Sequence, residues 1–166
     1  MLAKPCERSK YRVLGVGDMR EFIAQFTKEK LFDDNDVRRI GDDFYLVSAE
    51  LAKTLKKVRL PPLAAGLYLG RQNVKTAKPG LDLLQMLAKT DAKRVWLNDK
   101  GAWLFVCRRP ALKESITRAG AKPGELVLVL TERDECIGYG LFDGKQVKNY
   151  YDIGDFLRRE RTTKRF

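Results

Sequence analysis

Between Lys93 and Phe142 the chain reads KRVWLNDKGAWLFVCRRPALKESITRAGAKPGELVLVLTERDECIGYGLF. Short apolar runs alternate there with turn residues, which restricts this region to a small, mostly β barrel. Val95 to Leu97, Ala102 to Val106, Leu126 to Leu130 and Cys136 to Phe142 are strand-length and rich in β-branched, aromatic or aliphatic side chains. Asn98-Asp99-Lys100-Gly101, Lys122-Pro123-Gly124-Glu125 and Arg133-Asp134-Glu135 supply turns between them, and Asp143-Gly144 leads into a last strand from Lys145 to Tyr150. After Pro110, Leu112, Ile116 and Ala119 fall at helical spacing, so a short helix is expected between the second and third strands. Alternation along a strand at 102–106 puts Trp103 and Phe105 on one face, and these with Trp96 are expected to fill the barrel. Base stacking by one of the three is the competing use. Gly138 and Gly140 are expected to permit close backbone approach or a bulge where the barrel closes.

Upstream, Met19, Phe22, Ile23 and Phe26 recur at i, i+3, i+4, i+7 behind an Asp18/Glu21 capping pattern, which predicts an amphipathic helix. Tyr11 to Val16 reads as the possible start of a strand. Asp33-Asp34-Asn35-Asp36 lacks the glycine and distal glutamate of a calcium loop and reads as a solvated turn. Val37 to Ile40 and Phe44 to Val47 then pair as a hairpin across Gly41-Asp42-Asp43. Ser48 caps a second helix with Leu51, Leu55 and Val58 inward and Lys53, Lys56, Lys57 and Arg59 outward. Pro61-Pro62 ends it, Ala64 to Arg71 reads as a strand and Thr76 to Gly80 as a loop. Leu81 to Ala88 reads as a helix with Leu84, Leu87 and Ala88 inward. The polar stretch Lys89 to Ala92 marks a boundary, giving domains at 1–91 and 92–166 joined closely enough to touch.

Charge and residue usage then narrow the function. Thirty-three Lys and Arg against 22 Asp and Glu give a net +11, spread over both halves of the chain. Such a balance favours polyanionic partners, although it also serves solubility alone. The absence of histidine excludes a Ser-His-Asp triad, a Cys-His dyad and histidine-ligated metals. Cys6, Cys107 and Cys136 are odd in number and scattered, which suggests neither a disulfide framework nor a zinc site and fits a reducing compartment. No apolar run approaches the roughly 18 residues of a membrane span, and charges at Lys4, Glu7, Arg8 and Lys10 interrupt any signal peptide.

The order WLN, GAWLF, a basic loop and short helix, PGELVLVL, then ECIGYGLF resembles a PUA domain, an RNA-binding barrel. KNYYDIGDFLRRE from Lys148 to Glu160, with LAAGLYLGR and GLDLLQMLAK upstream, is similar to the Nip-seven family of large-ribosomal-subunit biogenesis proteins. The likeness runs from about residue 60 onward. It implies an α+β chain, an N-terminal α/β domain followed by a C-terminal PUA-type β pseudo-barrel. It further implies a non-catalytic RNA-binding protein of ribosome biogenesis, expected as a monomer without cofactor or metal. Its partners would be single-stranded or irregular ribosomal RNA and other assembly proteins, in the cytoplasm or, in a eukaryote, the nucleolus.

Positions matching Lys145 and Lys148 are basic and contact RNA in archaeal members of the resembled family. This chain departs from relatives that carry a further basic residue at Tyr151 and an arginine at Gly144. Arg108-Arg109 and Arg158-Arg159 extend the candidate RNA surface, and Tyr151 with Tyr150 offers stacking beside Lys148. A helix from about Asp152 would equally use Arg158, Arg159, Arg161, Lys164 and Arg165 against its own dipole. Two other functions remain: an RNA-modification enzyme or its accessory subunit, and a protein-docking scaffold with weak RNA binding. For the enzyme, the roughly 90 residues ahead of the barrel are too few for a pseudouridine synthase or transglycosylase domain.

Overall fold

In the computed structural model of the chain, the structure describes residues 19–72, 77–154 and 158. The expected strand at 11–16, the Asp18 cap, Arg159 and the cations of 161–165 lie outside the described residues.

The N-terminal half builds a four-stranded antiparallel sheet in the order β1-β2-β3-β4: β1 Val37–Ile40, β2 Asp43–Leu46, β3 Leu67–Gln72 and β4 Ala77–Pro79. The β1-β2 hairpin forms as expected, with Ile40 opposite Asp43. The stretch 76–80, expected as a loop, instead contains β4, and Pro79 is tolerated there because β4 is the sheet's edge. Helix α1, Met19–Ala24, buries Met19 and Phe22. Helix α2, Ala49–Lys57, starts where the Ser48 hydroxyl accepts the Leu51 N–H at 3.3 Å. Leu51 and Leu55 pack beneath it, but Val58 does not complete that stripe. The helix stops at Lys57, Val58 turns extended, and its side chain is left exposed. Helix α3, Leu81–Leu87, buries Leu83, Leu84 and Leu87.

The C-terminal half is a six-stranded sheet curled into a nearly closed barrel, β6-β10-β9-β8-β5-β7. Its strands are β5 Arg94–Leu97, β6 Ala111–Leu112, β7 Ile116–Ala119, β8 Glu125–Thr131, β9 Cys136–Phe142 and β10 Gln146–Asp152. Two expectations exchange places. Residues 102–106 are not a strand but belong to helix α4, Asp99–Val106, and the stretch after Pro110 is not a helix but β6, a 3-10 turn at Lys113–Ser115 and β7. Asn98 starts α4: its side-chain oxygen accepts the Gly101 N–H at 2.8 Å. On that helix Phe105 enters the barrel core with Ala102 and Val106 against it, whereas Trp103 is 64% exposed rather than buried.

Strand β8 explains how the halves meet. Val127 and Val129 face the barrel core, while Leu128 and Leu130 face a second cluster holding Phe22, Phe26, Leu69, Leu83, Leu84, Leu87 and Tyr139. Covered on both sides, this strand carries a continuous LVLVL run instead of a polar alternation. The joint at 89–92 is tied as well: Asp91 accepts the Thr27 hydroxyl and gives its N–H to Glu29 at 3.1 Å. At Gly138 and Gly140 an added Cβ would overlap the Tyr151 and Lys148 carbonyl oxygens of β10, so the close approach expected there is present. The β9-β10 register shifts between Asn149 and Tyr151. Cys136 is buried in the shared cluster, and burial pushes its thiol up to about 12.

Candidate nucleic-acid interface

Strand β10 begins at Gln146, one residue later than expected, because Lys145 sits in the turn from β9. The Asp143 carboxylate accepts the N–H groups of Lys145 and Gln146, both at 2.8 Å, and these bonds hold its pKa below the usual carboxylate value. Gly144 completes the turn at φ 93° with Pro123 against it, a conformation that suits glycine. The three-residue spacing of Lys145 and Lys148 thus spans a turn and a strand rather than one regular strand, and both side chains are exposed.

The second basic pair comes to the same edge through α4. Arg108 takes a left-handed conformation, φ 66°, its N–H bonding the Phe105 carbonyl at 2.9 Å and that of Arg109 the Leu104 carbonyl at 3.1 Å. This double-bonded helix end turns the chain back so that, past Pro110, β6 pairs with β10, Ala111 opposite Val147 and Leu112 opposite Gln146. Exposed Lys113 follows Leu112 at the same edge. Arg108 and Arg109 thus stand just ahead of β6, and Lys145 and Lys148 stand on either side of the two β10 residues that β6 pairs with, all four exposed.

Arg158 has other work. Its guanidinium donates to the Val106 carbonyl at 2.8 Å and to the Asp152 carboxylate at 2.9 Å. Asp152 also accepts from Asn149 at 3.1 Å, and Asn149 donates to the Phe105 carbonyl at 2.7 Å. A buried carboxylate, an amide and a guanidinium thus fasten the last carbonyls of α4 to β10 and hold the Arg108-Arg109 turn in place. The helix expected from Asp152 begins later, since β10 runs through Asp152 and Gly154 is the first helical residue. The carbonyl Arg158 bonds belongs to α4, not to its own helix.

Tyr151 is half-buried, stacked on buried Tyr139 at 5.8 Å between centroids, so one of its faces is covered by the protein. The Lys148 ammonium lies 5.9 Å from the Tyr150 ring. Missed by sequence reasoning is a second basic feature around Trp96, whose ring has Arg118 3.5 Å and Arg94 5.7 Å from its centroid. Its signal was the Arg94-x-Trp96 spacing, which puts both side chains on one strand face. Among the described residues, no group of three or more Cys, Asp or Glu is placed to hold a metal, and no helix is long and apolar enough to cross a membrane.

Residues 93–161 match the family model described as the UPF0113 PUA domain. The fold is also similar to a crystal structure of a PUA domain from Aeropyrum pernix K1 in a tartrate complex. That match has 13% identity and a TM-score of 0.50, covering 88% of this chain and 87% of that one. A hypothetical protein from the hyperthermophilic archaeon Pyrococcus horikoshii OT3 superposes with 18% identity and a TM-score of 0.48, covering 85% of this chain and 93% of that one. A chain from an H/ACA RNP bound to a substrate RNA containing 2'-deoxyuridine superposes with 18% identity and a TM-score of 0.37 over 48% of this chain; the match spans 27% of that chain's length. No curated protein sequence matches. The C-terminal half is thus a PUA domain, and PUA domains bind RNA.

Proposed function

We propose that the protein is a non-catalytic RNA-binding factor of the Nip-seven type, acting in large-subunit ribosome assembly. Its RNA surface is the β10-β6 edge of the PUA barrel. One observation supports this reading: β6 pairs with β10, Ala111 opposite Val147 and Leu112 opposite Gln146, so exposed Arg108 and Arg109 lead into the same strand pair that exposed Lys145 and Lys148 flank. Four cations at one edge neutralise phosphates, which positions a strand without reading its bases. The ribosomal setting rests on the KNYYDIGDFLRRE string and the upstream matches of sequence. The non-catalytic reading rests on a chain without histidine.

Replacing Lys145 and Lys148 with glutamate tests the surface against replacement of Lys56 and Lys57, exposed on α2. Both double variants change the charge equally, so an effect of bulk charge predicts equal losses of affinity for ribosomal RNA fragments. The edge predicts that the β10 variant loses far more. The wild-type log-log salt slope should be about −3, the value for four phosphates of a single strand, and shallower in the β10 variant. Equal losses would withdraw the edge.

A docking role for the N-terminal half has its own support. Leu60 and Leu63, flanking Pro61-Pro62, are 77% and 96% exposed, an apolar step beside the Lys53, Lys56 and Lys57 face. A partner held there would be compatible with RNA on the barrel edge.

A further inference from the structure

The opposite edge of the barrel sheet carries a site that shares no residue with the Lys145 edge. Trp96 on β5 is paired directly with Arg118 on β7. The neighbours of Trp96 on its strand, Val95 and Leu97, point into the barrel core, so its ring stands on the outer face. The indole N–H donates to Asp134 at 2.7 Å, which fixes the ring's orientation, and Asp134 lies 3.7 Å from Arg118. Arg94 is held beside the ring by a 2.9 Å bond to the Ala88 carbonyl. Between this strand pair and the end of α3 opens a cavity of about 640 Å³, with Ala88, Ala119 and Leu130 among its apolar lining and Lys89, Arg94 and Arg118 as its cations.

The bland account makes Trp96 a lid on the shared apolar cluster and Arg118 a surface ion pair. It leaves the arrangement unexplained. The Arg118–Asp134 pair is mostly exposed, where such a pair contributes little, yet the guanidinium lies 3.5 Å from the ring centroid, a stacking position. A cavity of this size falls in the range that takes small ligands, and among the described residues that line it one carboxylate offsets three cations. A planar apolar surface beside positive charge suits a ligand with a flat ring and an anionic group. Among the parts of an RNA, that is a single unpaired nucleotide.

We propose that this cavity takes one unpaired nucleotide of the bound RNA, its base stacked against the Trp96–Arg118 pair and its phosphate beside Lys89. The inference rests on the RNA-binding reading and deepens it: the β10-β6 edge holds the backbone and the β5-β7 edge captures a base. Strand β5 lies three strand spacings from β10, roughly 15 Å along the sheet. The outer face between them is covered by α3 through Leu128 and Leu130, but β6 leads into β7 through the Lys113–Ser115 turn, so a strand can touch both edges across that seam. Ten nucleotides span about 30 Å even at the stacked rise, enough to reach.

A labelled ten-nucleotide uridylate strand and an abasic strand of equal length distinguish base capture from charge. The chain has two tryptophans, and replacing exposed Trp103 with phenylalanine leaves Trp96 as the sole reporter. In Trp103→Phe, the uridylate strand should quench Trp96 emission saturably, at the affinity measured by anisotropy. Arg118→Lys keeps the charge and removes the stacking plane; with Trp96→Leu it should weaken uridylate binding about tenfold and leave abasic binding within about threefold. Arg118 is exposed, so its variant decides the matter if Trp96→Leu fails to fold. Uridylate binding without a change in Trp96 emission, or equal weakening of both strands, overturns the cavity and leaves the charged edge standing. If the wild type binds neither strand, the RNA-binding reading itself falls, and the cavity with it.

Discussion

Arg108 occupies a backbone conformation that favours glycine, at the position where a helix most often ends in one. Glycine there would relieve about 1 kcal/mol of strain, so the arginine is retained against a stability cost. Arg108→Gly should therefore raise the melting temperature by roughly 2–4 °C while weakening RNA binding several-fold. A calorimetric scan beside an RNA titration checks both signs, and a fall in stability would show that the side chain supports the fold instead. The sequence disclosed the Arg108-Arg109 pair but not this strain, because an arginine gives no hint of a left-handed φ. Arg158 was opaque for a related reason. Its charge was plain, yet the Val106 carbonyl and Asp152 that it bonds are defined only once α4 and β10 meet. The resemblance singled out Lys145 and Lys148, and the turn that Asp143 organises leaves both exposed.

Individual elements were legible where one signal acted alone. The Ser48 cap, the β1-β2 hairpin and the inward leucines of α3 follow from local chemistry. The exchange of helix and strand around Pro110 shows where it fails. GAWLFV is apolar throughout, and a short run of that kind has no period to separate a buried helix from a buried strand. The deciding group was Asn98, which looked like a turn residue and is a helix cap. Pairing between elements also brings a pH dependence. Asp43 on β2 and Arg71 on β3 are register partners, the carboxylate accepting from the guanidinium at 2.7 and 3.0 Å. The Arg71 bond lowers the Asp43 pKa from its usual 3.8. A carboxyl whose folded pKa is depressed contributes stability above its unfolded value, and that contribution is lost as pH falls through the folded one. Wild type should thus lose stability below about pH 4 more steeply than Asp43→Asn, while near neutrality the variant should be the less stable of the two. Urea midpoints measured from pH 2.5 to 7 test this, and parallel curves would show that the exposed Arg71 is solvated too well for the pair to matter.

At the scale of the molecule, the polar stretch 89–92 reads as a boundary in sequence, but apolar packing crosses it. Leu84 and Leu87 of α3 share one buried cluster with Leu128, Leu130, Cys136 and Tyr139 of the barrel, and Phe22 packs edge-on against Tyr139 at 5.3 Å. The LVLVL run of β8 carried this information in advance, since a barrel strand open to water on its outer face would alternate. A cluster shared this way couples the stability of the halves: unfolding either one strips the outer face of β8 and exposes Leu128 and Leu130. Leu84→Ala, made wholly within the N-terminal half, should cost about 2–5 kcal/mol. The barrel should report the loss. Trp96 packs against the shared cluster, whereas Trp103 stands exposed on α4, so in a Trp96→Phe background the tryptophan emission follows the barrel alone while far-UV circular dichroism follows the helices and strands of both halves. In a urea titration of that background the two signals should keep a common midpoint and shift together when Leu84→Ala is added. A tryptophan midpoint that stays in place while part of the dichroism signal moves to lower urea would mean that the barrel stands without the N-terminal half, and that the boundary at 91 separates two independent folding units.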